Sequence, residues 1–339
     1  MDDRSLSINL TDIDQQTFGA LVEPYRRELQ VHCYRMMGSV QDAEDMVQET
    51  FLRAWRRRET FEGRASLRAW LYKIATNACL DALEKRSKRV IPFTRQGVST
   101  LEEPIPANVN EPIWLEPYPD ELLNWDDVGP DGHYAARENI TLAFIAVLHL
   151  LPPRQRAVLI LRDVLEWEAS EVADLLGVTV ASVKSALHRA RETMAAHKRQ
   201  HLEGTAPQTL DATRQSQLED YVRAWQAADM NSLLALLRDD ATFSMPPIPS
   251  WYQGRESIGG LVAKTIFAGE ANGRWRLIPT RANGQIAFGL YRRDEAQGVY
   301  TAYGIQVLTF GDDGQIADII TFRSPGLVAA FTLPATLAF

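Results

Sequence analysis

The stretch that decides the organisation of this chain is 168–191, EASEVADLLGVTVASVKSALHRAR. A short apolar-periodic run ends at Gly177, a residue free to take a left-handed turn, and a second run starts after Thr179, whose hydroxyl suits a helix cap. Two helices joined in this way make a helix-turn-helix. In the second helix, Val180, Val183, Leu187, Ala190 and Met194 form the expected buried stripe. Ser182, Lys184, Ser185, His188 and Arg189 lie off that stripe, where a recognition helix presents side chains to a DNA major groove. Upstream, Pro152-Pro153-Arg154-Gln155-Arg156 opens a further helix, because proline is tolerated in a first turn.

Further toward the N-terminus, residues 90–138 read as an extended linker. Prolines stand at 92, 104, 106, 112, 117, 119 and 130, and residues 101–138 carry 10 acidic side chains against 1 basic. Before the linker, residues 15–89 are helix-rich, with no proline after Pro24. Residues 41–58 (QDAEDMVQETFLRAWRRR) wind into an amphipathic helix with Val47, Phe51 and Ala54 toward the core. Asp45, Gln48, Glu49, Leu52 and Arg56 cluster on the other side, as a docking face or a solvated one. A second helix is expected over 65–89, burying Leu67, Trp70, Leu71, Ile74 and Ala78 and leaving Arg68, Tyr72, Lys73, Thr76 and Asn77 off the stripe. Between the two helices, RRRETFEGR (56–64) is basic and carries Phe61. Cations for phosphates beside an aromatic for base stacking suit single-stranded or opening DNA.

The net charge of −8 conceals this distribution. Residues 51–95 hold 12 Lys/Arg against 4 Asp/Glu and residues 178–201 hold 5 against 1, so two basic segments flank an acidic one. Cys33 and Cys79 lack the spacing of a zinc site, and a chain of this size with two thiols reads as cytosolic. The acidic start, MDDRSLSINL, has no signal-peptide pattern, and no apolar run approaches the ~20 residues that span a bilayer. A soluble, intracellular protein without metal or cofactor is expected.

From about residue 214 the pattern changes to a helix over 218–237 and then alternating strands, separated by turns such as Ala282-Asn283-Gly284 and Asp312-Asp313-Gly314. Residues 202–339 contain neither histidine nor cysteine, so acid–base work there would fall to carboxylates or tyrosine. Asp318 shares strand parity with Ile316 and Ile320, and Trp251, Tyr252, Trp275, Tyr300 and Tyr303 are candidate pocket walls. Buried packing explains the aromatics equally well.

Taken together, DAEDMVQETFLRAW, FEGRASLRAWLYKIATNACLDALEKRSKR and LPPRQRAVLILRDVLEWEASEVADLLGVTVASVKSALHRAR resemble the sigma-70 family of RNA polymerase sigma factors, in its extracytoplasmic-function branch. The C-terminal pattern, LEDYVRAWQAADMNSLLALLRDDATFSMPP…YQGRESI, resembles the SnoaL-like (NTF2-like) fold. The resemblance implies a multidomain chain. Region 2 (1–90) and region 4 (139–202) would be all-α, joined by a Pro-rich acidic linker (91–138) and followed by an α+β cone over 203–339.

The resemblance also implies roles. Asp45, Met46, Val47, Gln48, Glu49 and Leu52 would form the motif that docks on the clamp of the polymerase β′ subunit, with Val47 inward as support. Arg58, Phe61, Arg64, Arg68, Lys73 and Asn77 would contact the −10 element. Ser182, Lys184, Ser185, His188 and Arg189 would read the −35 element, with Arg154 and Arg156 placed to reach phosphate and region 4 seated on the β flap. The acidic linker would complement polymerase channels built to hold nucleic acid. Within it, Trp114, Leu115, Pro117 and Tyr118 resemble a motif that packs against the extra domain or region 2. The extra domain would regulate through intramolecular contacts, with a small-molecule ligand and a separate anti-sigma protein left open. The alternative is a cyclase or isomerase of the SnoaL type fused to a DNA-binding module. An ordinary helix-turn-helix repressor would need neither the docking helix nor the −10 segment.

Overall fold

A computed structural model of the 339-residue chain describes residues 10, 13–61, 63, 65–85, 89–92, 97–107, 114–123, 140–201 and 212–339. The chain divides into two compact units. The first contains residues 1–89, 122–139 and 147–201, and the second contains 90–121, 140–146 and 202–339.

The first unit is helical. α1 (Gln15–Val22), α2 (Arg26–Met37), α3 (Val40–Arg56) and α4 (Leu67–Leu83) make up its N-terminal part. Side-chain caps set three of the starts: Asp14 accepts from Thr17 N (2.7 Å), Ser39 from Asp42 N (3.2 Å) and Ser66 from Ala69 N (3.1 Å). Gly38 stops α2 in the left-handed conformation at φ 75°. Leu29, Cys33 and Met36 of α2 pack with Val47 and Ala54 of α3 and Leu71, Ala78 and Cys79 of α4, all buried. Tyr72 and Thr76 were expected off the buried stripe of α4 but are buried too. α2 covers them: His32 Nε2 lies 2.9 Å from Thr76 Oγ1, and its ring meets Tyr72 edge-on at 5.0 Å. The two cysteines, Cys33 and Cys79, are both free and buried.

After α5 (Leu142–Leu148) come α6 (Pro153–Leu159), α7 (Ala169–Leu176) and α8 (Val180–His201). α6 runs into a wide π turn over Ile160–Val164. Gly177, at φ 65°, closes α7, and the Thr179 hydroxyl accepts from Ser182 N at 3.1 Å. This is the helix-turn-helix read from 168–191. Its buried stripe begins at Val183, because Val180 is exposed. Arg191 grips Asp163 with two bonds of 2.9 and 2.7 Å, tying α8 to the π turn.

In the second unit, α9 (Ala212–Ala227) and α10 (Met230–Ala235) replace the single helix expected over 218–237. The chain turns at Ala228 (φ 53°), and Asp229 caps a new helix by accepting from Ser232 N at 3.2 Å. One sheet follows in the order β2-β1-β6-β5-β4-β3. Its strands are β1 (Leu237–Ser244), β2 (Trp251–Gln253), β3 (Trp275–Ala282), β4 (Gln285–Asp294), β5 (Val299–Phe310) and β6 (Ile316–Phe322). β7 (Thr336–Ala338) adds to β5, and β1 runs parallel to β6. One sheet face packs Phe243, Trp275, Phe288, Leu308 and Ile319 against Tyr221 and Trp225 of α9 and Leu261 of α11 (Arg255–Lys264). Burial of each large apolar side chain there is worth about 1.5–3 kcal/mol. The other face packs Tyr291, Tyr300, Ile305, Val307, Ile320 and Phe322 against Leu327 and Val328 of α12 (Pro325–Ala330).

Candidate functional site

α3 presents a solvent face through its sequence period. Asp45 and Gln48 are exposed, Met46 and Glu49 are half-buried, and Leu52 is an exposed large apolar side chain at 50%. Val47 is fully buried beneath them. Arg53 anchors the far end by donating to Glu49 (2.7 Å) and to Asp81 of α4 (2.7 Å).

The residues between α3 and α4 are held by stacking. The Arg58 guanidinium lies 4.1 Å over the Trp55 ring and donates to the Trp55 carbonyl (3.1 Å). Phe61 is half-buried with its ring 5.3 Å from Trp70. Arg64 lies outside the described residues. On α4, Arg68 is paired with Glu28 (2.8 Å), which also accepts from the Tyr72 hydroxyl (3.2 Å). Lys73 donates to the Asp174 carbonyl of α7 (3.3 Å), and Asn77 donates to the Lys73 carbonyl (2.9 Å).

On α8, Ser182, Lys184, Ser185, His188 and Arg189 are all exposed along one face. Arg189 donates to Ser185 (2.8 Å) and His188 faces Glu192 (3.4 Å). Arg154 is exposed at the start of α6. Arg156 departs from expectation: it is 1% exposed, and its guanidinium donates to the carbonyls of Met36 (2.5 Å), His149 (3.2 Å) and Leu151 (3.3 Å). In this arrangement it does not reach solvent, let alone phosphate. Burial pushes this arginine down to about 9.

In the second unit the linker folds onto the β3–β4 turn. Asn283 is fully buried at φ 56° in that turn. Its Oδ1 accepts from Tyr118 N (2.7 Å), its Nδ2 donates to the Ile140 carbonyl (2.8 Å), and its own N donates to the Tyr118 carbonyl (2.9 Å). Asp120 extends the clamp by accepting from Gly284 N (2.7 Å) and pairing with Arg281 (3.2 Å). Leu142 N donates to Gln285 (3.0 Å) and Thr332 donates to Glu121 (2.6 Å). Leu115, Pro117 and Tyr118 are buried, and Trp114 is half-buried and bridged to Val90. A third hold lies upstream: Ser99 N donates to the Trp251 carbonyl (2.9 Å), and Leu101 packs beside Gly260 of α11. Asn283 and Asp120 were missed as functional residues. The Asn-Gly turn was visible in the sequence, but its partner, 165 residues away, was not.

The structure divides the candidate pocket residues between two faces of the sheet. Tyr252 and Trp275 belong to the face beneath α9 and α11, and Tyr303 packs against it because the β4–β5 register skips that residue between the Leu290–Gly304 and Tyr291–Ala302 pairs. Asp318 sits on the opposite face, with Ile320, where Thr242 donates to its carboxylate. The shift between Thr309 and Phe310 moves Ile316 to the α9 side, so strand parity misled the reading. The Trp251 carbonyl accepts from Ser99 N of the linker, and Tyr300 lies on the Ile320 face. Beneath α9, Tyr221 donates to Gln306 (2.8 Å), which donates to Thr321 (2.9 Å).

An exposed α3 face, a stacked basic loop, a helix-turn-helix and a clamped linker are the parts of a transcription-initiation factor, and the comparisons with known proteins agree. Residues 21–89 match the Sigma-70 region 2 family, 141–194 match Sigma-70 region 4 and 218–319 match the SnoaL-like domain. The chain is 42% identical over 324 residues to the ECF RNA polymerase sigma factor SigG of Mycobacterium tuberculosis, covering 94% of this chain and 85% of SigG. It is 29% identical over 222 residues to ECF sigma factor SigJ of the same species, covering 66% of this chain and 62% of SigJ. The SigJ crystal structure shares the fold, with a TM-score of 0.56 at 22% identity over 93% of this chain and 99% of that one. The chain belongs to the extracytoplasmic-function RNA polymerase sigma factors of the sigma-70 family. As such it binds core RNA polymerase and directs promoter-specific initiation. Among the described residues, no helix is long and apolar enough to cross a membrane.

Proposed function

We propose that the SnoaL-like domain regulates this sigma factor by holding its inter-region linker, and that it does so as a binding domain in the cytoplasm and not as an enzyme. The observation that carries the reading is the clamp at Asn283, whose side-chain amide and backbone N–H are all engaged by Tyr118 and Ile140. A linker bound along the domain surface is withheld from the polymerase channels that it occupies in an initiating complex. The non-catalytic reading draws support from Asp318, which lies on the sheet face opposite Trp275 and Tyr303 and is bonded to Thr242.

In this account Asp45, Met46, Gln48, Glu49 and Leu52 dock on the β′ clamp over the Val47 support. Arg58, Phe61, Arg64, Arg68, Lys73 and Asn77 serve the −10 element, and Ser182, Lys184, Ser185, His188, Arg189 and Arg154 serve the −35 element. Arg156 serves only once the Met36 carbonyl releases it. The domain limits read from sequence are kept, with residues 90–121 and 140–146 seated on the C-terminal domain.

The test is transcription by reconstituted polymerase with the full chain carrying Asn283→Gly and Asp120→Ala. Both changes loosen the linker, and Gly tolerates the φ of 56° at position 283. The expected result is tighter core association and more initiation than wild type. Equal association and output would contradict regulation through the linker.

A further inference from the structure

The guanidinium of Arg156 is buried without a carboxylate. Among the described residues its hydrogen-bond partners are three carbonyls, and the His149 ring edge stands 3.5 Å away. Two of these carbonyls, His149 and Leu151, belong to the turn that closes α5, so they hold the side chain from within its own region. The third, Met36, belongs to the last turn of α2, where carbonyls lack intrahelical partners and carry the negative end of the helix dipole. Arg156 therefore bolts region 4 to region 2 through a helix end.

The same interface covers residues of α4. Trp167, in the turn before α7, packs its ring 5.3 Å from that of Tyr72. Asp174 of α7 takes the Lys73 ammonium on its carbonyl, and His149 Nε2 donates to the Arg35 carbonyl (3.2 Å). Neighbouring Arg68 and Asn77 share the α4 surface. A buried cation held by neutral dipoles, here with its Nε lacking a hydrogen-bond partner, is costly to hold compared with one paired to an anion. The arrangement is thus a lock of small net strength, releasable by a partner that binds the separated regions.

We propose that Arg156 is the pin of a closed state, in which the helix-turn-helix region covers the Tyr72–Lys73 surface of region 2, and that core polymerase binding withdraws this pin. On withdrawal only the Met36 bond is lost. The His149 and Leu151 carbonyls keep the guanidinium oriented, with Nη1 freed.

The test uses the full chain labelled for energy transfer at Thr60→Cys and Glu192→Cys, both exposed positions; the native Cys33 and Cys79 are fully buried and stay unlabelled in the folded protein. Arg156→Met should lower transfer efficiency in the free protein. With core polymerase bound, wild type and variant should give the same efficiency. The apparent affinity for core should rise by about fivefold or more, because the binding-competent population is no longer a minor one. Arg156→Lys keeps the charge but cannot span the three carbonyls, and it carries the same test if Arg156→Met fails to fold. Wild-type transfer efficiency in a folded variant overturns the pin. Lower efficiency with unchanged or weakened core binding overturns its inhibitory role, since it would make Arg156 a structural brace only.

Discussion

Asn283 and Tyr118 exchange two hydrogen bonds across 165 residues of chain: Tyr118 N donates to Asn283 Oδ1 at 2.7 Å, and Asn283 N donates to the Tyr118 carbonyl at 2.9 Å. Asn suits the left-handed turn at φ 56°, and its amide reaches where a backbone would otherwise be needed. The β3–β4 hairpin is therefore both a turn and a receptor for the linker.

Asn283→Gly keeps the turn and deletes both side-chain bonds. Losing a buried pair of this kind costs about 1–3 kcal/mol. The Tyr118 amide should then exchange its hydrogen about 5–150-fold faster in the variant, measured by mass spectrometry or NMR. Unchanged protection at Tyr118 would mean that the bond does not hold the linker.

At the upstream hold, a Cβ added at Gly260 would clash with Leu101 Cδ1. Gly260→Ala should expel Leu101 from α11 and make residues 97–107 more susceptible to limited proteolysis. Adding Gly260→Ala to a Leu101→Ala background should raise stability by about 0.5–1 kcal/mol, because alanine favours the helix and the clash is gone. Denaturant unfolding of the two variants measures this difference.

Desolvation pushes the Asp318 carboxyl up to about 6, against the lowering effect of the Thr242 hydroxyl. A carboxyl whose folded value is raised stabilises the fold fully below its unfolded value of 3.8, and this contribution is lost as pH rises through about 6. Asp318→Asn keeps an acceptor for Thr242 and removes the charge. It should stabilise the domain at pH 7.5 by about 1–3 kcal/mol and much less at pH 4.5. Equal effects at the two pH values would show that the carboxylate is not the source.

How much of this was legible in the sequence depends on the range of the interaction. The helix-turn-helix could be read because Gly177, Thr179 and the Val183–Leu187–Ala190 stripe act locally, and the exposed α3 face followed from helical period. The change to alternating strands beyond residue 214 and the Asp312-Asp313-Gly314 turn are local signals as well. Features set by distant partners were not legible. Tyr72 and Thr76 are buried because α2 lies against them, Arg156 because Met36 supplies a carbonyl, and Asp318 parts from Ile316 because the register with β5 shifts once. Each exception arises where tertiary packing or a bulge breaks a regular period.

On α8, Arg189 donates to Ser185, and the proposed −35 role would exchange this contact for a base edge. Arg189→Ala should relax discrimination at one −35 position by about 1–3 kcal/mol. Arg154→Ala should weaken binding alike on all sequences and reduce the salt slope of log K by about 0.9. Fluorescence anisotropy of the holoenzyme on −35 variants over a salt series separates the two effects.

The most direct measurement of the central claim is run-off transcription with purified core polymerase, this chain and a library of fragments from its own genome. The account predicts transcripts with defined starts that require the chain and disappear when Asp45, Gln48 and Leu52 are replaced together by alanine. No chain-dependent transcript from any fragment would contradict it.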